Sequence, residues 1–198
     1  MKTVFVDVDT QLDFVFPSGA LYAPGAERIV PAAGALNRFA AARGIPVIST
    51  TDAHAEDDAE FANWPPHCIA GTLGQRKPES TLLERRVVAR NREPLPETAG
   101  AQQIVVEKQT LDVFETTTIA GLLERLGAEH AVVYGVVTEV CVLFAARGLQ
   151  RREMKVTLVT DSVAALDVAN AARALDELRA GGCRLSTRQD LEVAAPAL

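Results

Sequence analysis

The chain is short of the features that would bind nucleic acid, cross a membrane or staple a small secreted fold. Its 198 residues carry 20 Lys and Arg against 26 Asp and Glu, a formal net charge of -6. No block of basic residues supplies the electrostatic footprint that nucleic-acid binding needs. No apolar run approaches the roughly 20 residues of a membrane helix. The start, Met1-Lys2-Thr3 running straight into Val4-Phe5-Val6, is too short and too quickly acidic for a secretory leader. The three cysteines, Cys68, Cys141 and Cys183, are odd in number and form no CxxC pair. That argues against a disulfide framework and for a reducing compartment. No GxGxxG follows the first strand, which argues against a dinucleotide site. What remains is ordinary: 48% hydrophobic and 23% charged residues, enough for one globular domain with a sizeable core.

Short β-rich runs, each followed by an alanine- or leucine-rich pattern of helical period, alternate along the chain. This predicts an α/β fold, a parallel sheet covered by helices. Strands are expected over residues 3–8, 45–51, 103–107, 131–136, 155–160 and 183–186, and helices over 27–42, 118–126, 138–149 and 168–180. In the first helix Ile29, Val30, Ala33, Leu36, Phe39 and Ala40 recur at helical spacing, and Gly44 supplies a stop. Residues 53–101 fit the alternation badly, with Pro65-Pro66, Pro78, Pro94 and Pro96 among many charges. They read as a loop-rich excursion within a single domain spanning 1–198, and excursions of that length are usually functional or disordered.

Ligands of open α/β sheets collect at the carboxyl ends of the strands. The first strand delivers Asp7 and Asp9 there, the second Asp52 and His54, the third Lys108, and the fourth runs into Thr138, Glu139 and Cys141. Cys141 falls where a strand turns into a helix, near amides that stabilise a thiolate or hold an oxyanion. Asp9 is placed to take the thiol proton and Lys108 to hold the thiolate by charge. The competing reading makes Cys141 a core cysteine, Asp9 a turn cap and Lys108 a solvated lysine.

A second cluster, Asp52-Ala53-His54, Glu60 and Trp64-Pro65-Pro66-His67, falls within sixteen residues. Carboxylate and imidazole ligands suit zinc, iron or manganese, and three or four protein ligands with an open position suit a catalytic or substrate-binding ion. Surface histidines in a long loop are the alternative. Cys68 adjoins His67, but neighbouring residues rarely both face one ion. Cys183 is expected to be packing, and His130, in a helix-to-strand connection, to be exposed.

Taken in order, Asp9-Thr10-Gln11-Leu12-Asp13-Phe14, Asp52-Ala53-His54, Trp64-Pro65-Pro66-His67-Cys68 with Gly71-Thr72, Lys108 with Asp112 and Phe114, and residues 135–142 resemble the nicotinamidase/pyrazinamidase branch of the isochorismatase-like cysteine hydrolases. The resemblance covers most of the chain. It implies a three-layer, Rossmann-like α/β/α fold around a six-stranded parallel sheet. It also implies that Cys141 is the nucleophile, Asp9 the general acid/base and Lys108 the third catalytic member. Asp52, His54 and His67 take the place of metal ligands, with Glu60 as a variable fourth, and Phe14 and Trp64 that of aromatic walls around a flat ring. A cis peptide before Val137 is implied, with the amides of Val137 and Cys141 forming the oxyanion hole.

The implied reaction is hydrolysis of nicotinamide to nicotinate and ammonia through a cysteine thioester, as in cytoplasmic NAD salvage. It uses one divalent metal ion, zinc first and iron or manganese as alternatives, that orients the ring. The implied partner is a small carboxamide, without nucleic acid or membrane; exposed alanines and valines leave a homo-oligomer open. The chain departs from the pattern at residues 109–114, where glycine- and tyrosine-rich sequence is common, and at Val137, where a smaller alanine is common. Residues 75–97 match no pattern. The alternatives are a metal-containing cysteine hydrolase of the same family acting on another small carboxamide, and a non-catalytic α/β binding protein.

Overall fold

The computed structural model describes residues 1–193; residues 194–198 of the expected domain lie outside the described residues. The strands are β1 (Thr3–Val8), β2 (Val47–Asp52), β3 (Arg86–Ala89), β4 (Gln103–Lys108), β5 (His130–Val136), β6 (Lys155–Ala164) and β7 (Arg184–Ser186). They form one sheet in the order β3-β4-β2-β1-β5-β6-β7, with every neighbouring pair parallel. β1, β2 and β5 are buried along their whole length, as parallel strands covered on both faces must be. The pleat sends Val4, Val6 and Val8 to one face and Phe5 to the other.

Helices α1 (Leu12–Val15), α2 (Val30–Ala42), α3 (Ile119–Leu126), α4 (Leu143–Gln150), α5 (Val168–Ala180) and α6 (Arg188–Val193) complete the layers. Leu36 and Ala40 of α2, with Leu191 of α6, pack on Phe5, Val47, Val132 and Tyr134. Leu122, Ala146 and Leu178, from α3, α4 and α5, cover the opposite face with Val4, Val6, Ile48 and Val133. Asp167 caps α5 by accepting from the Asn170 amide at 2.7 Å.

Several expectations are corrected. The sheet has seven strands rather than six, because β3 lies inside the 53–101 excursion. Its four residues sit at the sheet edge, three of them partly or fully exposed, so no alternating apolar run marks it. The helix expected over 27–42 divides into a 3-10 turn, Ala26–Ile29, and α2, and the one expected over 138–149 into a π-type turn, Thr138–Val142, and α4. His130 is buried rather than exposed. It opens β5, and its ring bonds with the hydroxyls of Thr3 at 3.2 Å and Thr157 at 2.9 Å.

The strand order reverses between β1 and β5, the kind of crevice where ligands bind in open α/β sheets. Val8 and Gly135 are partners there. A Cβ on Gly135 would lie 2.1 Å from the Val8 carbonyl oxygen, so only glycine lets the strand ends close up. The following Val136–Val137 peptide is cis. No helix among the described residues is long and apolar enough to cross a membrane.

Candidate active site

Asp9 leaves β1 with φ at +45°, a left-handed conformation that aspartate tolerates better than most residues. Its amide is 3.2 Å from both the carbonyl and the hydroxyl oxygen of Thr50. The Thr50 hydroxyl donates to Asp9 Oδ1 at 2.5 Å, leaving Oδ2 to face Lys108 Nζ at 3.0 Å. Lys108 ends β4 and Asp52 ends β2 in register with it. The Lys108 ammonium, buried, bonds to Asp52 Oδ1 and to the Thr110 carbonyl at 3.0 Å, and lies 3.8 Å from Cys141 Sγ. The structure therefore brings Asp9, Lys108 and Cys141 together from three separate strand ends. Asp7 is not among them. It lies in a network beneath, accepting from Thr10, Ser49 and Asn37 and meeting Lys77 Nζ at 3.4 Å.

Burial alone would deprotonate Lys108, but the adjacent Asp52 and Asp9 outweigh it and hold its pKa well above the ordinary value. Asp9 is raised by its own burial and by Asp52, against the pull of Lys108. Burial works against the Asp52 carboxylate as well, yet Lys108 and the neighbouring histidines carry it below the usual range. Burial pushes the Cys141 thiol well up, with Asp9 adding to the effect and Lys108 opposing it. The raised thiol and the nearby Asp9 carboxyl suit proton transfer from Cys141 to Asp9 during attack.

Beside this group, His54 Nε2 and His67 Nε2 lie 3.9 Å and 3.8 Å from Asp52 Oδ2, and each lies 3.9 Å from Glu60 Oε1. One ligand atom from each of Asp52, His54 and His67 falls within 4.8 Å of the others, and all three residues are buried. The His67 ring is fixed by a bond between Nδ1 and the Pro65 carbonyl at 2.8 Å, which leaves Nε2 as the lone-pair nitrogen. Among the described residues, both nitrogens of buried His54 lack a hydrogen-bond partner. An orphaned imidazole among carboxylates is unfavourable unless something else satisfies it, and the donor set suits a divalent cation. The residues present therefore fit a metal.

A narrow cleft opens over both groups, lined by Cys141, Val137, Asp52, Glu60 and His67 and walled by Phe14, Trp64, Leu21, Leu111, Val140 and Leu166. Phe14 is buried against the His67 ring at 5.3 Å, and Trp64 is half-buried.

Sequence reasoning missed several contributors. Gln11 accepts from the Asp52 amide at 2.7 Å and donates to the Asp52 carbonyl at 2.9 Å, fixing that strand end. Thr50 orients Asp9, and Asp58 Oδ2 lies 3.1 Å from His54 Nδ1. The leucine walls carry no local signal. Glu139, noted only as a strand-end residue, accepts from the amides of Leu166 at 2.9 Å and Asp167 at 2.7 Å, so it ties one wall to the Cys141 turn.

Residues 3–190 match the sequence profile of the isochorismatase domain. The Escherichia coli (strain K12) nicotinamidase is 26% identical over 210 residues, covering 93% of this chain and 94% of its own. Among solved structures, the pyrazinamidase of Pyrococcus horikoshii in complex with zinc aligns with a TM-score of 0.79 at 26% identity, covering 94% of this chain and 99% of its own. The N-carbamoylsarcosine amidase of Thermoplasma acidophilum aligns at 0.75 and 26% identity, over 94% and 96% of the two chains. With strand-end residues converging as they do in a cleft at the point of strand reversal, and a profile spanning nearly the whole chain, this protein belongs to the isochorismatase domain family.

Proposed function

We propose that the protein is an amidohydrolase that converts nicotinamide to nicotinate and ammonia through a thioester on Cys141. The observation that carries the reading is Lys108 Nζ lying 3.0 Å from Asp9 Oδ2 and 3.8 Å from Cys141 Sγ, with Cys141 lining a cleft that Asp52 and His67 of the Asp52, His54 and His67 cluster also line. The nicotinamidase and pyrazinamidase relatives support the choice of substrate.

Asp9 accepts the proton of Cys141 as sulfur attacks the carboxamide carbon. The oxyanion develops against the amides of Val137 and Cys141. Collapse breaks the C–N bond, and ammonia leaves with the proton that Asp9 returns. Water then attacks the thioester, giving its proton to Asp9; the C–S bond breaks, and the proton passes back to sulfur as the acid is released. Lys108 keeps its charge throughout, offsetting negative charge as it moves between carboxylate and sulfur. Phe14 and Trp64 hold the ring and exclude water. Asp52, His54 and His67, with Glu60 as a fourth ligand, would hold a divalent ion, zinc first and iron or manganese as alternatives, that supplies a positive anchor for the substrate ring. The family match over residues 3–190 supports a single domain, and three free, buried cysteines support work in the reducing cytoplasm.

Ammonia release from nicotinamide by the purified protein tests this, run beside Cys141→Ala and a panel including pyrazinamide and N-carbamoylsarcosine. Turnover of nicotinamide that vanishes in the variant is expected. Turnover of N-carbamoylsarcosine alone would keep the chemistry and replace the substrate. Silence on every amide with metal bound would leave a binding protein.

A further inference from the structure

We propose that Asp58 is the positioning residue of the metal cluster, fixing the tautomer of His54 with one carboxylate oxygen and the place of Glu60 with the other. This rests on the metal reading above.

The His54 ring is buried under Phe61 with centroids 5.3 Å apart. Its Nε2 faces Asp52 Oδ2 and Glu60 Oε1, both at 3.9 Å. To donate a lone pair there, the neutral ring must carry its proton on Nδ1. Nδ1 lies 3.1 Å from Asp58 Oδ2, at hydrogen-bond distance though out of line in this conformation. An ionised carboxylate can only accept, so it selects the tautomer with Nδ1 protonated. His67 obtains the same selection from a backbone carbonyl, that of Pro65. His54 depends on a side chain.

The other oxygen of Asp58 has a separate task. Asp58 is the N-cap of the 3-10 turn Ala59–Ala62, and its Oδ1 accepts from the Glu60 amide at 2.9 Å. That turn carries Glu60 Oε1 to 3.9 Å from both histidine Nε2 atoms. One short side chain therefore governs two of the four donor atoms without being a ligand itself.

The discriminating variant is Asp58→Asn, which keeps a carbonyl oxygen for the Glu60 amide but can present an NH2 to Nδ1. A donor there favours the proton on Nε2, which blocks coordination. Zinc(II) affinity of the full chain is measured by competition with a chromophoric chelator. The His54 ring tautomer is read by 15N NMR on metal-free protein, and the metal-free melting temperature is recorded alongside. Zinc binding about 10- to 100-fold weaker than wild type is expected, with His54 protonated on Nε2 and the metal-free melting temperature unchanged. Asp58→Ala is expected to bind at least as weakly, having lost both contacts. Wild-type affinity in Asp58→Asn would overturn the proposal. So would weaker binding with the tautomer unaltered and the metal-free protein less stable, since Asp58 would then serve the fold alone. If wild-type protein binds no zinc, the metal reading fails and this proposal falls with it.

Discussion

Asp52 and Lys108 are register partners at the carboxyl ends of β2 and β4, and the carboxylate of the first is hydrogen-bonded to the ammonium of the second. Because Oδ1 of Asp52 takes the lysine while Oδ2 faces His54 and His67, one side chain joins the Asp9, Lys108 and Cys141 group to the two histidines. A change on either side is therefore felt on the other.

Lys108→Met leaves Asp9 and Asp52 buried without their counterion. A loss of about 3–5 kcal/mol in stability is expected, together with loss of amide hydrolysis; urea unfolding and ammonia release check the two effects. Asp9→Asn keeps shape and removes the proton acceptor. Its kcat is expected to fall by about 10²- to 10⁴-fold with the fold retained.

Zinc that binds the folded chain alone should raise its melting temperature by mass action, with a shift that grows with free zinc. Dialysis against a chelator is expected to lower the melting temperature and abolish hydrolysis, and returning zinc to restore both. In His54→Ala the zinc-dependent shift should disappear, and a thermal melt at several zinc concentrations checks it.

The apolar wall at Leu166 is held by Glu139, which accepts from two successive backbone amides. Glu139→Ala frees that segment, so a rise in KM larger than the fall in kcat is expected. Leu166→Ala enlarges the cleft directly and should cost about 1–3 kcal/mol in kcat/KM. Steady-state kinetics on nicotinamide separates the two parameters. A fall in kcat alone would place the effect at Cys141 instead.

His130 charges less readily in the folded chain than in the unfolded, first because it is buried and then because Lys155 and Arg184 are near. As pH falls through about 6.5, the unfolded chain takes up a proton that the folded chain resists. Stability present above that pH is therefore lost as the pH drops towards the lowered folded pKa. His130→Gln should lose less stability than wild type between about pH 7.5 and about pH 5, the window around the ordinary histidine pKa. Denaturant midpoints at the two pH values measure the difference.

Much of this architecture is legible along the chain. β1 is bounded as its apolar run predicts, and α5 runs over the residues its period predicts, because a covered strand and an amphipathic helix each write a local pattern. β3 is not legible, since four residues at a sheet edge have no face that must be uniformly apolar. The burial of His130 is equally hidden. It depends on Thr3 and Thr157, which approach only when β1 and β6 flank β5.

By itself the sequence determined the α/β class and which chemically versatile side chains, Asp9, Asp52, His54, Lys108 and Cys141, stand at or just beyond strand ends, because period and strand termination are local properties. Only the tertiary structure decided that β1, β2, β4 and β5 lie side by side, bringing those residues within a few ångströms. It also decided that Asp58, Thr50 and Leu166 lie beside them, and that burial raises the Cys141 thiol above its ordinary value. Strand order, burial and the fields of neighbouring charges arise from contacts between residues far apart in the chain, and a local pattern carries no record of them.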